Sequence, residues 1–130
     1  MGNIDMEKMA ILLSNAITDV ITTMTGFDVS VDPDCSSPEK IGPGESIIGS
    51  MAIFGSVNGI ISLTTDVDSA KVIVAYMTGI MPTYLTQADI HDGMAELVNM
   101  LVGRIKADMD REDFRLTITS PFSILGKDID

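Results

Sequence analysis

Residues 86–106 read TQADIHDGMAELVNMLVGRIK, and this stretch decides the fold. At about 100° per residue, the turn of an α-helix, seven of its large apolar side chains fall on one side. These are Ile90, Met94, Leu97, Val98, Leu101, Val102 and Ile105. Asp92, Glu96, Asn99 and Gly103 fall together on the opposite side. A solvated face needs no order among its polar residues, so a carboxylate and an amide one turn apart, above a glycine, indicate a docking surface.

The start of this helix is predicted at Thr86. Asp89 follows at the spacing of a weak capping box, in which a hydroxyl and a carboxylate satisfy unpaired first-turn amides. Upstream, residues 5–25 repeat apolar side chains at helical spacing and stop at Gly26, which predicts another long helix. Residues 27–31 alternate apolar and polar side chains, so we expect a short, half-buried strand there.

The middle of the chain predicts a loop and a hairpin. Residues 32–45 contain three prolines and two glycines and should form a long surface loop. Residues 46–54 and 57–64 have the composition of two strands joined by a tight turn at Gly55 and Ser56. Gly49 and Gly59 lie inside these strands, where glycine is normally unfavourable, so we expect a bulge or a closely packed neighbour at both.

The remaining segments complete an α+β domain. Asp66 can cap a short helix that ends at Gly79, and residues 114–118 alternate as a further strand. Residues 120–130 have no clear assignment. The order of elements predicts an antiparallel sheet covered on one face by two long helices and a shorter one.

Composition and charge exclude several classes of function. With 130 residues the chain is long enough for one domain. Its net charge of −11 disfavours nucleic acid as a partner, and no apolar run is long enough to span a membrane. The N-terminal residues lack the charge pattern of a signal peptide, so we expect a soluble, cytoplasmic protein. Cys35 is the only cysteine, which excludes an internal disulfide and favours a free surface thiol.

The combined motifs resemble a known family. Glu96-Leu-Val-Asn99, with Gly103 after it and Asp92 before it, is similar to the E-x-x-N helix of the CheC/CheX/FliY chemotaxis phosphatases, and most of all to CheX. The hairpin GSMAIFGSVNGIISLTTD supports the resemblance, as do Tyr76-Met-Thr-Gly79, Ser120-Pro121 and Gly126.

The resemblance implies a reaction and a partner. Members of this family dephosphorylate the response regulator CheY, which carries a phosphoryl group on an aspartate. By resemblance, Asn99 positions the attacking water, Glu96 contacts a lysine of CheY, Asp92 can add a polar contact, and Gly103 leaves room for the partner. The protein would need no cofactor of its own, because CheY supplies Mg²⁺.

The resemblance also bears on assembly and domain organisation. It implies a homodimer, and it implies a single domain over residues 1–130 that lacks the family's last C-terminal strand. A weak internal repeat places Asn15 under Asn99 but Leu12 where a second glutamate would be required, so one active site per chain is expected.

Alternative hypotheses remain open at this point. The same fold could serve as a non-catalytic module that binds a response regulator or a flagellar switch component, or as a purely structural dimerisation domain. His91 is expected to have a surface or helix-end role. The acidic residues at 108–113 lack the spacing of a calcium loop and are interpreted as a solvated corner.

Overall fold

The computed structural model describes residues 5–31 and 45–127, and it confirms the predicted α+β class. The helices cover one face of an antiparallel sheet. In chain order the elements are α1 (Met6–Thr25), β1 (Glu45–Gly55), β2 (Gly59–Asp66), α2 (Val67–Thr78), a 3₁₀ turn (Pro82–Tyr84), α3 (Gln87–Arg111), β3 (Leu116–Ile118) and β4 (Phe122–Lys127).

The ends of the first two helices are fixed by capping residues, of which Gly26, Asp66 and Gly79 were predicted and Asp5 was not. The Asp5 carboxylate accepts a hydrogen bond from the backbone N–H of Lys8 at 2.7 Å, and Asp66 accepts one from Ser69 at 3.3 Å. Gly26 and Gly79 end the two helices with φ of 76° and 75°, a left-handed conformation that glycine adopts without steric cost.

Strand β1 is the centre of the sheet. Strand β2 pairs with it in antiparallel register along one edge, from Ser46 opposite Asp66 to Ile53 opposite Gly59. The other edge is shared, because β4 pairs with residues 45–50 and β3 with residues 53–55. The predicted hairpin is confirmed, but β1 is one residue longer at each end, and β2 starts two residues later than predicted because the connection spans residues 56–58.

A bulge separates β3 from β4. Residues 51 and 52 of β1 lie between the two pairings and face residues 119–121, so β1 has one residue fewer than its partner there. Ala52 N–H donates to the Thr119 hydroxyl at 3.0 Å, and Thr119 N–H donates to the Ala52 carbonyl at 3.1 Å. Pro121, which has no N–H to donate, lies where the pairing is interrupted.

The hydrophobic core lies between the sheet and the helices, and α3 is the helix at its centre. α3 packs on β1 and contacts both α1 and α2. Alternate residues of β1 point towards the helices and are buried, among them Ile47, Met51 and Ile53. Phe54 and Ile60 point to the opposite face of the sheet, where they are 49% and 67% exposed. None of the helices in the described ranges has the length and hydropathy needed to cross a bilayer.

Two local predictions are wrong. Residues 27–31 form no strand and pair with none of the strands in the described chain. Instead, the Phe27 ring packs edge-on against Tyr76 with 4.8 Å between ring centroids. A Cβ at Gly59 would have no heavy atom within 4 Å, so nothing approaches this glycine closely. The predicted loop and Cys35 fall at residues 32–44, outside the described residues, and Glu45 already belongs to β1.

The burial patterns of α1 and α3 match best in a register one residue away from that of the predicted internal repeat. Residues 9, 12, 16 and 20 of α1 are buried, as are residues 94, 97, 101 and 105 of α3. In this register Ser14, not Asn15, corresponds to Asn99, and the exposed Ile11 corresponds to Glu96. Leu12 is a core residue, so neither register gives α1 a glutamate beside an amide.

Candidate functional site

Helix α3 carries the candidate site, and its N-terminus is capped. Thr86 accepts a hydrogen bond from Asp89 N–H at 3.1 Å, and the Asp89 carboxylate accepts one from Thr86 N–H at 2.9 Å. The predicted capping box is therefore present, and two unpaired amides of the first turn are satisfied.

The helix is anchored by its apolar face. Its side towards the sheet includes Met94, Leu97 and Val98, which are completely buried. Close packing of this kind holds a helix in one position, because interiors leave few voids into which it could move. A side chain on the outer face of α3 therefore projects from a rigid support.

The outer face presents the four predicted site residues as one stripe. Asp92, Glu96 and Asn99 are exposed, and Gly103 is partly exposed. None of these three polar side chains makes a hydrogen bond or ion pair with a side chain that the structure describes. Glu96 and Asn99 are three residues apart on a helix, a spacing that places their Cβ atoms about 5–6 Å apart. A Cβ at Gly103 would meet no atom within 4 Å, so the surface is open at this point.

The charges of the stripe favour an external partner. Asp92 and Glu96 are four residues apart, and two like charges at this spacing destabilise a helix by about 0.2–0.5 kcal/mol. A cationic group on a bound partner would remove this repulsion. Asp92 and Glu96 can thus bind a cationic group of a partner, and Asn99 offers an uncharged amide next to them.

The acidic corner at the end of α3 has a structural role. Asp108 is buried, and its carboxylate accepts from Arg104 Nε at 3.1 Å and contacts the Arg111 guanidinium. Arg104 also pairs with Asp19 of α1 at 2.6 Å, so these charges tie the two long helices together. α3 consequently continues to Arg111, five residues past the predicted end at 106. Within the described residues, no group of three or more His, Cys, Asp or Glu side chains could hold a metal ion.

His91 joins α3 to the sheet. It is partly buried, and its Nδ1 lies 2.8 Å from the Ser123 hydroxyl of β4. His91 also lines a cavity of about 460 Å³ between the starts of β1, α2 and α3, together with Glu45, Asp66 and Lys71 among others. None of the four stripe residues lines this cavity. The predicted helix-end role of His91 agrees with this position.

Sequence reasoning predicted only part of the contacts that hold the stripe in place. Gly49 was expected to have a close neighbour, and that neighbour is the backbone of Met94 on α3. Gly93 lies against Val74 of α2, a contact that no local pattern indicates. These contacts join residues distant in sequence, so only the fold reveals them.

Comparisons with known proteins support one family. The family model described as chemotaxis phosphatase CheX matches residues 47–130, a range that includes all of α3. No curated protein sequence matches the chain at a significant level.

Several solved structures have a similar fold. The chemotaxis protein CheX from Vibrio vulnificus is 22% identical with a TM-score of 0.77, over 92% of this chain and 78% of that chain. CheX from Desulfovibrio desulfuricans is 23% identical with a TM-score of 0.70, over 92% and 79% of the two chains. The CheX in a CheX–CheY–BeF₃–Mg²⁺ complex from Borrelia burgdorferi is 18% identical with a TM-score of 0.66, over 88% and 75%.

Proposed function

The chain belongs to the CheX family of chemotaxis phosphatases, and on this basis we propose that it dephosphorylates the phospho-aspartate of a CheY-like response regulator. The observation that carries the proposal is the pair of Glu96 and Asn99. Both side chains are exposed, and neither makes a hydrogen bond or ion pair with a side chain that the structure describes. They project from a helix whose opposite face is buried, inside the range that matches the family.

Asn99 is proposed to position the attacking water. An amide both donates and accepts hydrogen bonds, and it stays uncharged beside a phosphoryl group, which would repel a carboxylate. An acyl phosphate already hydrolyses without help, so a phosphatase needs mainly to orient water for in-line attack. In this proposal Mg²⁺ is bound by the response regulator, and this chain contributes no cofactor.

Glu96 is proposed to bind a lysine of the regulator and so to hold the two proteins in register. Asp92, one turn earlier, would strengthen the attraction to that cationic surface, and Gly103 would give the partner room to approach. The Borrelia burgdorferi CheX, which has the same fold, has been solved in complex with CheY, and this supports a CheY-like protein as the partner.

Assembly and location complete the proposal. A homodimer is supported by the outer edge of β2, which has no strand partner among the described residues and could pair with another chain. We also place the protein in the cytoplasm, where its partner would be found. A single domain over residues 1–130 is part of this hypothesis.

The proposal is tested by dephosphorylation of purified phospho-CheY from the same organism. Wild type should accelerate the loss of phosphate over spontaneous decay, and Asn99→Ala should not. Asn15→Ala is the matched control, because Asn15 is an exposed asparagine on the other long helix. Its activity should equal that of wild type.

The same experiment separates an enzyme from a binding module. If wild type binds phospho-CheY but leaves its decay rate unchanged, the phosphatase assignment is wrong and a non-catalytic binding module takes its place. Absence of both binding and acceleration would leave only the structural hypothesis of a dimerisation domain.

A further inference from the structure

Two glycines allow other elements to approach α3 very closely, directly beneath the stripe. A Cβ at Gly49 of β1 would lie 2.9 Å from the carbonyl oxygen of Met94 and 3.5 Å from the Cβ of Val98. A Cβ at Gly93 would lie 2.5 and 2.7 Å from the two γ-methyl carbons of Val74 on α2. An ordinary contact of a Cβ atom is 3.4 Å or longer, so neither position has room for a side chain.

The two contacts hold the same part of α3 from two directions. Gly49 lies on the central strand, so its contact sets the height of α3 above the sheet. Gly93 faces α2, so its contact sets the sideways position of the helix. Met94 is two residues from Glu96, and Val98 is next to Asn99 in the chain. A displacement at either contact therefore moves the stripe.

We propose that Gly49 and Gly93 are positioning residues for the phosphatase reaction, because they fix the depth and the lateral position at which α3 presents Asn99 to the phosphoryl group. This inference rests on the proposed function. Neither glycine touches the partner. Each acts through the backbone of α3, whose rigid placement is what orients a water molecule for in-line attack.

The expected effect follows from the size of the displacement. Restoring an ordinary 3.4 Å contact at position 49 requires a shift of about 0.5 Å, because the blocking atom belongs to the helix backbone and cannot rotate away. A misplacement of about 1 Å can lower a rate about 10²-fold, so a shift of half that size predicts about a tenfold loss. The loss should fall on the rate at saturating phospho-CheY and leave KM within about threefold, because Glu96 still reaches its partner.

The experiment compares Gly49→Ala, Gly93→Ala and the control Gly59→Ala in the phospho-CheY assay. Gly59 is in the same hairpin but has no heavy atom within 4 Å of its Cβ position, so the control should keep the wild-type rate. Circular dichroism at the assay temperature gives the folded fraction, and rates are expressed per folded molecule. Gly93→Ala is also combined with Val74→Ala, which removes the two methyl groups at 2.5 and 2.7 Å and leaves only the Cβ of residue 74, 3.1 Å from the new side chain.

The pattern of results decides the inference. It is supported if Gly49→Ala and Gly93→Ala each lose about tenfold in saturating rate, while Val74→Ala restores the rate of Gly93→Ala. It is overturned if the folded variants keep the wild-type rate, since the glycines would then serve stability alone. If Gly49→Ala does not fold, Gly93→Ala and its rescue decide the outcome. Failure of the proposed function gives a different result, because wild type itself would then not accelerate dephosphorylation.

Discussion

Replacing Gly103 should raise stability and lower activity, a combination that a purely structural glycine cannot give. Gly103 lies inside α3, where glycine is about 0.5–1 kcal/mol less stable than alanine because it loses more backbone entropy on folding. A Cβ there meets no atom within 4 Å, so Gly103→Ala recovers this energy without a clash. With about 2.1 cal/mol/K of unfolding entropy per residue, 130 residues give an increase in Tm of about 2–4 °C.

A longer side chain at the same position separates the two effects. Gly103→Met keeps most of the gain in stability, since methionine is a good helix former, but it projects into the space that the partner is proposed to enter. We expect KM for phospho-CheY to rise at least about tenfold, equivalent to about 1.4 kcal/mol of lost binding. Ala10→Met, at an exposed position of α1, makes a similar increase in size elsewhere and should leave KM unchanged.

Thermal unfolding by circular dichroism and steady-state dephosphorylation measure the two quantities. A lower Tm for Gly103→Ala would show that the space around Gly103 is not open. An unchanged KM for Gly103→Met would show that the partner does not approach this part of the helix.

Three further predictions concern residues that stabilise the helices α2 and α3. Asp108→Asn should lower the free energy of unfolding in urea by about 1–3 kcal/mol, because the buried charge and its hydrogen bonds to two arginines are lost. The control Asp110→Asn, at an exposed position, should lower it by less than about 0.5 kcal/mol. Thr86→Ala should cost about 1 kcal/mol in the same measurement, because the capping box is lost. Hydrogen bonds from Ser69, first from its side chain and then from its backbone, hold the pKa of Asp66 below its usual value. The stability that Asp66 contributes is therefore present above the usual aspartate pKa and is lost as the pH falls through the lowered pKa of Asp66. An NMR titration in which Asp66 protonates at or above the ordinary value would contradict this cause.

The parts of the fold that sequence could predict are those set by local chemistry. The apolar stripe of residues 90–105 and the caps at Thr86, Asp66, Gly26 and Gly79 act within a few residues, and all of them are found in the structure. The stripe of Glu96 and Asn99 was predictable for the same reason, since the helical period alone places both on the exposed face.

The wrong or missing predictions concern segments whose structure depends on contacts between residues far apart in the sequence. The charged residues at 106–113 were interpreted as a corner, but Asp108 is buried by Arg104 and Arg111, and these pairs allow α3 to continue. Residues 122–127 had no assignment from the sequence, and in the structure they form β4, whose pairing with β1 begins after the bulge at Pro121. Residues 27–31 have the alternation of a strand but pair with no strand in the described chain.

The most direct test of Asn99 is its rate at saturating phospho-CheY. If Asn99 orients the attacking water, Asn99→Ala should lower this rate about 10²-fold or more, with binding of the regulator and Tm close to wild type, because Glu96 and the buried face of α3 are unchanged. A folded Asn99→Ala variant that dephosphorylates saturating phospho-CheY at the wild-type rate would contradict the assigned role of Asn99.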